Sequence, residues 1–156
     1  MPLFDIPGFG QLELTRLILD FNGTLAADGA LLPGVAERLT ALSKDFDIRV
    51  ITADTFGKVK TALKDLPCSV EIIEKGDEAA AKQTIVRSLD PEACICIGNG
   101  ANDRLMLAEA GLGVAVIQQE CAAASAVAAA DVIALNITDA LDLFLSPLRL
   151  TATLRD

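Results

Sequence analysis

"LILDFNGTLA", residues 17–26, is the stretch from which the rest of the chain is read. An apolar run stops at one carboxylate, Asp20, and the chain then turns through Asn22, Gly23 and Thr24. Two readings of Asp20 stand side by side. It can serve as a turn residue, since Asn-Gly is a common turn dipeptide. It can also be a reactive group at the carboxyl end of a buried strand, where open parallel sheets place their ligands.

Outward from this stretch, short apolar runs alternate with helical patterns. Strands are expected at 15–21, 47–54, 68–73, 93–99, 112–117 and 131–135. Between and after them fall helices at 33–45, 55–66, 76–89, 101–111, 121–130 and 137–145. The first helix opens with Pro33 and repeats Val35, Leu39 and Leu42 at helical spacing. The third carries Ala81, Ile85 and Leu89 on one side. Continuous apolar strands alternating with helices imply a mostly parallel sheet covered on both faces, an α/β Rossmann-like three-layer sandwich in a single domain over 1–156. The ends depart from that pattern. Residues 3–14 suit a hairpin around Pro7-Gly8. In 147–156, Leu148, Leu150, Ala152 and Leu154 alternate with polar residues, which reads as a strand pairing with a sheet edge in its own chain or a neighbour's.

Composition narrows the chemistry. A formal charge of −9 disfavours nucleic acid and anionic membrane surfaces as partners. No apolar run is long enough to span a membrane, and the Ala-rich stretch at 121–130 reads as a packed helix. The first residues lack the basic and apolar regions of a secretory signal, and the four cysteines form no C-x-x-C pair, so a reducing cytoplasm is expected. The chain has no histidine. That removes Ser–His–Asp and Cys–His catalysis and His-ligated metals, and leaves carboxylates, lysine, hydroxyls, backbone amides and a hard metal ion.

Polar residues recur at the expected strand ends: Asp20 after the first, Thr52 at the second, Asn99 and Asp103 after the fourth, with Lys82 on the helix before that fourth strand. Taken singly each has an ordinary reading, as a cap, a strand residue, a solvated lysine or a loop. In order, "DFNGT", "VITAD", "KQTIVRSL" and "IGNGANDRLML" resemble the four motifs of the haloacid dehalogenase (HAD) phosphohydrolases, usually written DxDGT, an apolar strand ending in Thr or Ser, a Lys followed by apolar helix positions, and GDGxNDxxML. Within that superfamily the chain looks like the phosphorylation domain of P-type ATPases and its small soluble relatives. Lys75 competes for the lysine role but lacks the apolar spacing after it.

The resemblance implies a HAD-like fold and a Mg²⁺-dependent phosphohydrolase or phosphotransferase. Asp20 would be the nucleophile and form an aspartyl-phosphate. The backbone of Phe21, Asn22, Gly23 and Thr24, together with Thr52, Ala53 and Lys82, would hold the phosphoryl group. Asp20, Asn22, Asn99 and Asp103 would hold Mg²⁺. Two positions break the pattern. Asn22 stands where HAD phosphatases carry a general acid/base Asp, and Asn99 where the fourth motif usually has Asp, so slow turnover and weak metal binding are expected. The alternative is a catalytically degenerate phosphate- or Mg²⁺-binding or oligomer-forming module. The intervals 20–52 and 52–82 leave no room for a cap domain; a short flap turns at Asp28-Gly29. An open site suits a phosphorylated small molecule or a phosphoprotein, or closure by a second subunit in a homo-oligomer, a dimer or tetramer.

Overall fold

In the computed structural model of the chain, residues 2–54 and 57–156 are described. An antiparallel hairpin, β1 (Leu3–Ile6) and β2 (Gly10–Glu13), precedes the first core strand, β3 (Arg16–Asp20). A small flap follows, β4 (Ala26–Ala27) and β5 (Ala30–Leu31), turning through Asp28 and Gly29. Both turn residues have positive φ (51° and 81°), the geometry of a tight two-residue hairpin and one that favours glycine. Next come α1 (Val35–Leu42), β6 (Asp47–Thr52), α2 (Lys58–Leu63), β7 (Ser69–Ile72) and α3 (Glu78–Ser88). A 3-10 turn at Pro91–Ala93 leads into β8 (Cys94–Gly98), and another at Ala101–Asp103 into α4 (Arg104–Glu109). The chain finishes with β9 (Leu112–Val116), α5 (Ala124–Ala129), β10 (Val132–Ala134), α6 (Ile137–Leu145) and α7 (Pro147–Leu154).

Six strands form one parallel sheet in the order β10-β9-β8-β3-β6-β7. The chain winds outward from β3 to β6 and β7, then crosses back to β8, β9 and β10. The winding therefore reverses between β3 and β8, and the crevice at their carboxyl ends is where such sheets bind ligands. The side-chain period of two decides which way each residue points. Leu17, Leu19, Val50, Ile95 and Ile97 pack into the core beneath α1, α6 and α7. Ile18, Ile51, Cys94 and Cys96 pack on the other face with Val86 of α3 and Met106 and Leu107 of α4. Asp20 is in phase with Ile18, so it faces the side that α3 covers.

Two expectations are revised, at α3 and at the tail, and one falls partly outside the described residues. The expected stripe of α3 (Ala81, Ile85 and Leu89) is only partly buried, and the inward line is Ala79, Lys82 and Val86. A lysine thus occupies the middle of a buried helix face. The helix expected at 55–66 is α2; Thr55 and Phe56 lie outside the described residues, so its start is not compared. The second revision concerns 147–156, which forms the helix α7 rather than a strand. Pro147 sits in the first turn, where its missing N–H costs nothing. Leu150 and Leu154 lie four residues apart and turn inward, while Leu148 is 83% exposed, so the alternating leucines do not share a face. Thr151 and Thr153 donate their hydroxyls to the carbonyls four residues back, at Pro147 and Arg149. The tail packs on α6 and β1 of its own chain, and offers no strand for a neighbour to pair with. Among the described residues, no helix is long and apolar enough to cross a membrane.

Candidate active site

Among the described residues, the buried polar or charged side chains are Asp20, Thr24, Thr52, Lys82, Asn99 and Asp103. Burying such groups costs several kcal/mol unless they are paired. All of them lie in or just past the carboxyl ends of β3, β6 and β8 or on α3, and all sit at one place. The cleft there has a volume of about 580 Å³ and is lined by Asp20, Asn22, Thr52, Ala53, Lys82 and Asn99, among others.

At its floor one ammonium serves two carboxylates. Lys82 Nζ donates to Asp20 Oδ1 at 2.8 Å and to Asp103 Oδ1 at 2.7 Å, with the lysine side chain 1% exposed. Burial alone would lower the Lys82 pKa, but the two carboxylates outweigh it and hold the ammonium above its ordinary value. Asp20 moves the other way from a typical salt-bridged carboxylate. Burial first, and then repulsion from Asp103, raise it from 3.8 to about 7 against the pull of Lys82 and Thr24. The two shifts have different causes: burial and a neighbouring anion raise Asp20, and two nearby anions raise Lys82.

The carboxylates differ in what else they touch. Among the described residues, Asp20 Oδ2 accepts only the Thr24 hydroxyl, at 3.1 Å, and Asp20 borders the cleft. Asp103 Oδ2 accepts the main-chain N–H groups of Asn99 (3.0 Å) and Gly100 (2.9 Å), and the side chain is fully buried. Gly98 makes room for it, since a Cβ there would collide with the Asp103 carboxylate. Asp103 therefore does not reach the cleft. Both of its oxygens are held by the protein, one by Lys82 and one by the two N–H groups, and it sits behind Lys82 as a counter-charge.

Asn99 Nδ2 donates to the carbonyl of Cys121 at 3.0 Å, which turns its Oδ1 toward the Thr24 hydroxyl at 3.2 Å. The Thr24 hydroxyl is thus in reach of both Asp20 and Asn99 and carries one proton to give. Gly23, at φ +79°, passes so close to the Asn99 amide that a Cβ would collide with it, so the residue must be glycine on two counts. Two amides of the expected phosphate cradle have partners inside the turn. Gly23 N–H is bonded to Ala26 O (2.8 Å) and Thr24 N–H to Phe21 O (3.2 Å), so these two amides face into the turn. Phe21, Asn22, Thr52 and Ala53 remain along the cleft. Thr52 Oγ1 accepts the Asp54 N–H at 3.2 Å and keeps its own proton to donate.

Beside the Lys82 pair, the oxygen donors of the cleft are the Asp20 carboxylate and the Asn99 amide, next to Asn22, while Asp28, Asp54, Glu78 and Glu120 line other parts of it. A set of hard oxygens with one carboxylate suits Mg²⁺, which retains waters and takes the rest from a phosphate. Among the described residues no three His, Cys, Asp or Glu side chains converge on a metal position, so a softer or fully protein-caged metal has no such group to hold it.

The sequence reading missed two contributors, Lys58 and Gln118. Lys58 lines the cleft, as does Lys75, which that reading weighed against the buried Lys82. Gln118, in the loop after β9, donates to the main-chain oxygens of Gly23 (3.1 Å) and Thr24 (2.7 Å). Its one sequence signal is a polar side chain just past the carboxyl end of an apolar strand.

Comparison with known proteins bears on the family and the fold. A family model for haloacid dehalogenase-like hydrolases matches residues 37–140. Uncharacterized protein MJ0073 of Methanocaldococcus jannaschii is 44% identical over 85 residues, 52% of this chain and 91% of that protein. Among solved structures, the 3-deoxy-D-manno-octulosonate 8-phosphate phosphatase of Moraxella catarrhalis, in complex with magnesium, phosphate and KDO, superposes with a TM-score of 0.72. It is 20% identical and covers 92% of this chain and 94% of its own. The cobalt-bound deoxy-D-mannose-octulosonate 8-phosphate phosphatase of Haemophilus influenzae gives 0.72 at 15% identity, over 90% of this chain and 92% of its own. The second pair shares the fold, and the family match extends from α1 through most of the sheet: the chain belongs to the haloacid dehalogenase-like hydrolases.

Proposed function

We propose that the chain is a slow Mg²⁺-dependent phosphatase that works through a phosphoryl group carried on Asp20. One observation carries the reading: Asp20 is the carboxylate of the Lys82 pair that opens to the cleft. In the reaction an Asp20 oxygen forms a bond to phosphorus as the ester oxygen leaves in line. Water then attacks the aspartyl-phosphate, releasing phosphate and restoring the carboxylate. Lys82 offsets the charge of nucleophile and phosphoryl oxygens, and Thr52 donates its hydroxyl to one of those oxygens. The main chain along Phe21, Asn22 and Ala53 lines the space the phosphoryl group would fill. Asp20, the Asn22 carbonyl and Asn99 would hold Mg²⁺, which supplies electrostatic stabilisation of the transferring group. The substrate would be a phosphorylated small molecule or a phosphoprotein, reached through a cleft that no cap covers. P-type ATPase kinship extends to this phosphoryl chemistry alone.

Slowness follows from Asn22. Its side chain lines the cleft, but an amide cannot give the leaving oxygen a proton or take one from water. Asn22→Asp should raise turnover of a generic phosphomonoester by about 10²–10⁴-fold, the usual worth of a placed general acid/base. No gain, with fold and metal binding intact, counts against the proposal. A second reading, a degenerate phosphate- or metal-binding module, draws on Asn99, whose amide is held by Cys121 and adds no charge. It predicts no turnover by either chain and no beryllofluoride bound at Asp20.

A further inference from the structure

From the hydrogen bonds around the nucleophile turn, we infer that Gln118 is a positioning residue: its amide clamps the Asn22–Thr24 turn and so sets the place of Asp20's neighbours. The inference rests on the proposed phosphoryl transfer at Asp20.

The turn satisfies its own donors. Phe21 O accepts the N–H groups of Thr24, Leu25 and Ala26, and Ala26 O accepts that of Gly23. The carbonyls of Gly23 and Thr24 point out of the turn, and Gln118 Nε2 meets both. Its Oε1 accepts the N–H of Ile137 at 2.9 Å, the first residue of α6, whose amide has no partner within the helix. The amide is thereby oriented without ambiguity. Exchanging O and N would set an oxygen against two carbonyls and an NH₂ against an N–H. One side chain thus ties the loop beyond β3 to the start of α6, through partners 94, 95 and 19 residues away in sequence.

The functional consequence runs through Thr24. Its hydroxyl lies between Asp20 Oδ2 and Asn99 Oδ1, and its carbonyl is the shorter of the two Gln118 contacts. If the clamp is lost, the turn that carries Thr24 and Asn22 relaxes, while Asp20, on β3, stays with Lys82. Substrate binding at Lys82 and Thr52 is then retained, and the alignment of the attacking oxygen is what suffers. A misplacement of about 1 Å can cost about 10²-fold in rate.

The test uses Gln118→Met, which keeps length and volume and removes the hydrogen bonds, and Gln118→Glu, which keeps the acceptor for Ile137 N–H and sets a charge against two carbonyls. Gln119→Met, at the exposed neighbour, is the control. The expected result is a fall in kcat of about 10²-fold for both Gln118 variants with KM little changed. Amide exchange should speed up at 22–26 and at 137, with exchange in the rest of the sheet and the control unaffected. A Gln118→Met protein with wild-type kcat, or with exchange unchanged at 22–26, overturns the inference. So does a loss of rate accompanied by faster exchange throughout the sheet, since that would be general destabilisation. If the wild type turns nothing over, the phosphatase proposal falls by itself, and unchanged exchange at 22–26 still decides against the clamp.

Discussion

Asp20 and Asp103 stand on either side of the same ammonium, at 2.8 and 2.7 Å, yet they are not equivalent. The Asp103 region is closed. Its carboxylate is enclosed by Lys82 and two main-chain N–H groups, with no exposed surface. The Asp20 region is open. Its second oxygen accepts the Thr24 hydroxyl, and the residue borders the cleft. An identical partner therefore makes one aspartate an enclosed counter-charge and leaves the other open to the cleft. The distinction comes from where the backbone amides point, which is set by the turn after β8 and not by the residue type.

Substitution at each aspartate should split activity from stability. Asp20→Asn should remove turnover, by about 10⁴-fold or more if the acid is the nucleophile. It should not lower stability, because Lys82 keeps Asp103. Asp103→Asn should do the reverse in kind, costing on the order of 3 kcal/mol in urea unfolding by leaving Lys82 and the two amides poorly matched. Equal loss of stability in the two variants would erase the proposed difference.

The open side also predicts a pH dependence. Asp20 has a folded value of about 7 against 3.8 for an ordinary carboxyl. Between those values the folded chain holds a proton that the unfolded chain has lost, so stability from this group falls as pH rises through that window and levels off above it. Asp20→Asn lacks the effect. In metal-free protein, the melting-temperature advantage of the variant over wild type should widen from about pH 5 to about pH 7 and then stay constant. A gap that narrows with pH would mean that the carboxylate is stabilised by its surroundings. The smallest effect concerns the neutral ligand. Asn99→Asp should tighten Mg²⁺ binding by about tenfold in calorimetry, by adding charge to the open side. Unchanged affinity would remove Asn99 from the metal site.

Much of this was legible in the sequence, because two periodicities carry it. The period of two along "LILD" puts Asp20 in phase with Ile18, and the alternation of strands with helices brings the ends of β3, β6 and β8 together. The inward place of Lys82 was not legible from its helix, since apolar spacing pointed to Ala81, Ile85 and Leu89 while the lysine sits on the buried line. Closure of Asp103 was hidden for a different reason. It depends on two N–H groups aimed by a turn, and residue type says nothing of that. Gln118 was missed because its partners are carbonyls, which any residue supplies. The tail misled because leucines at 148, 150 and 154 fit a strand by alternation, while 150 and 154 alone also fit a helix.

The most direct measurement is the site of phosphorylation. Wild-type protein would be mixed with Mg²⁺ and a small acyl phosphate donor, quenched in acid, and mapped by peptide mass. A single added phosphoryl group on the peptide containing Asp20, absent in Asp20→Asn and retained in Asp103→Asn, is the result expected here. A phosphoryl group found elsewhere, or none under conditions where the folded protein binds Mg²⁺, would contradict the account.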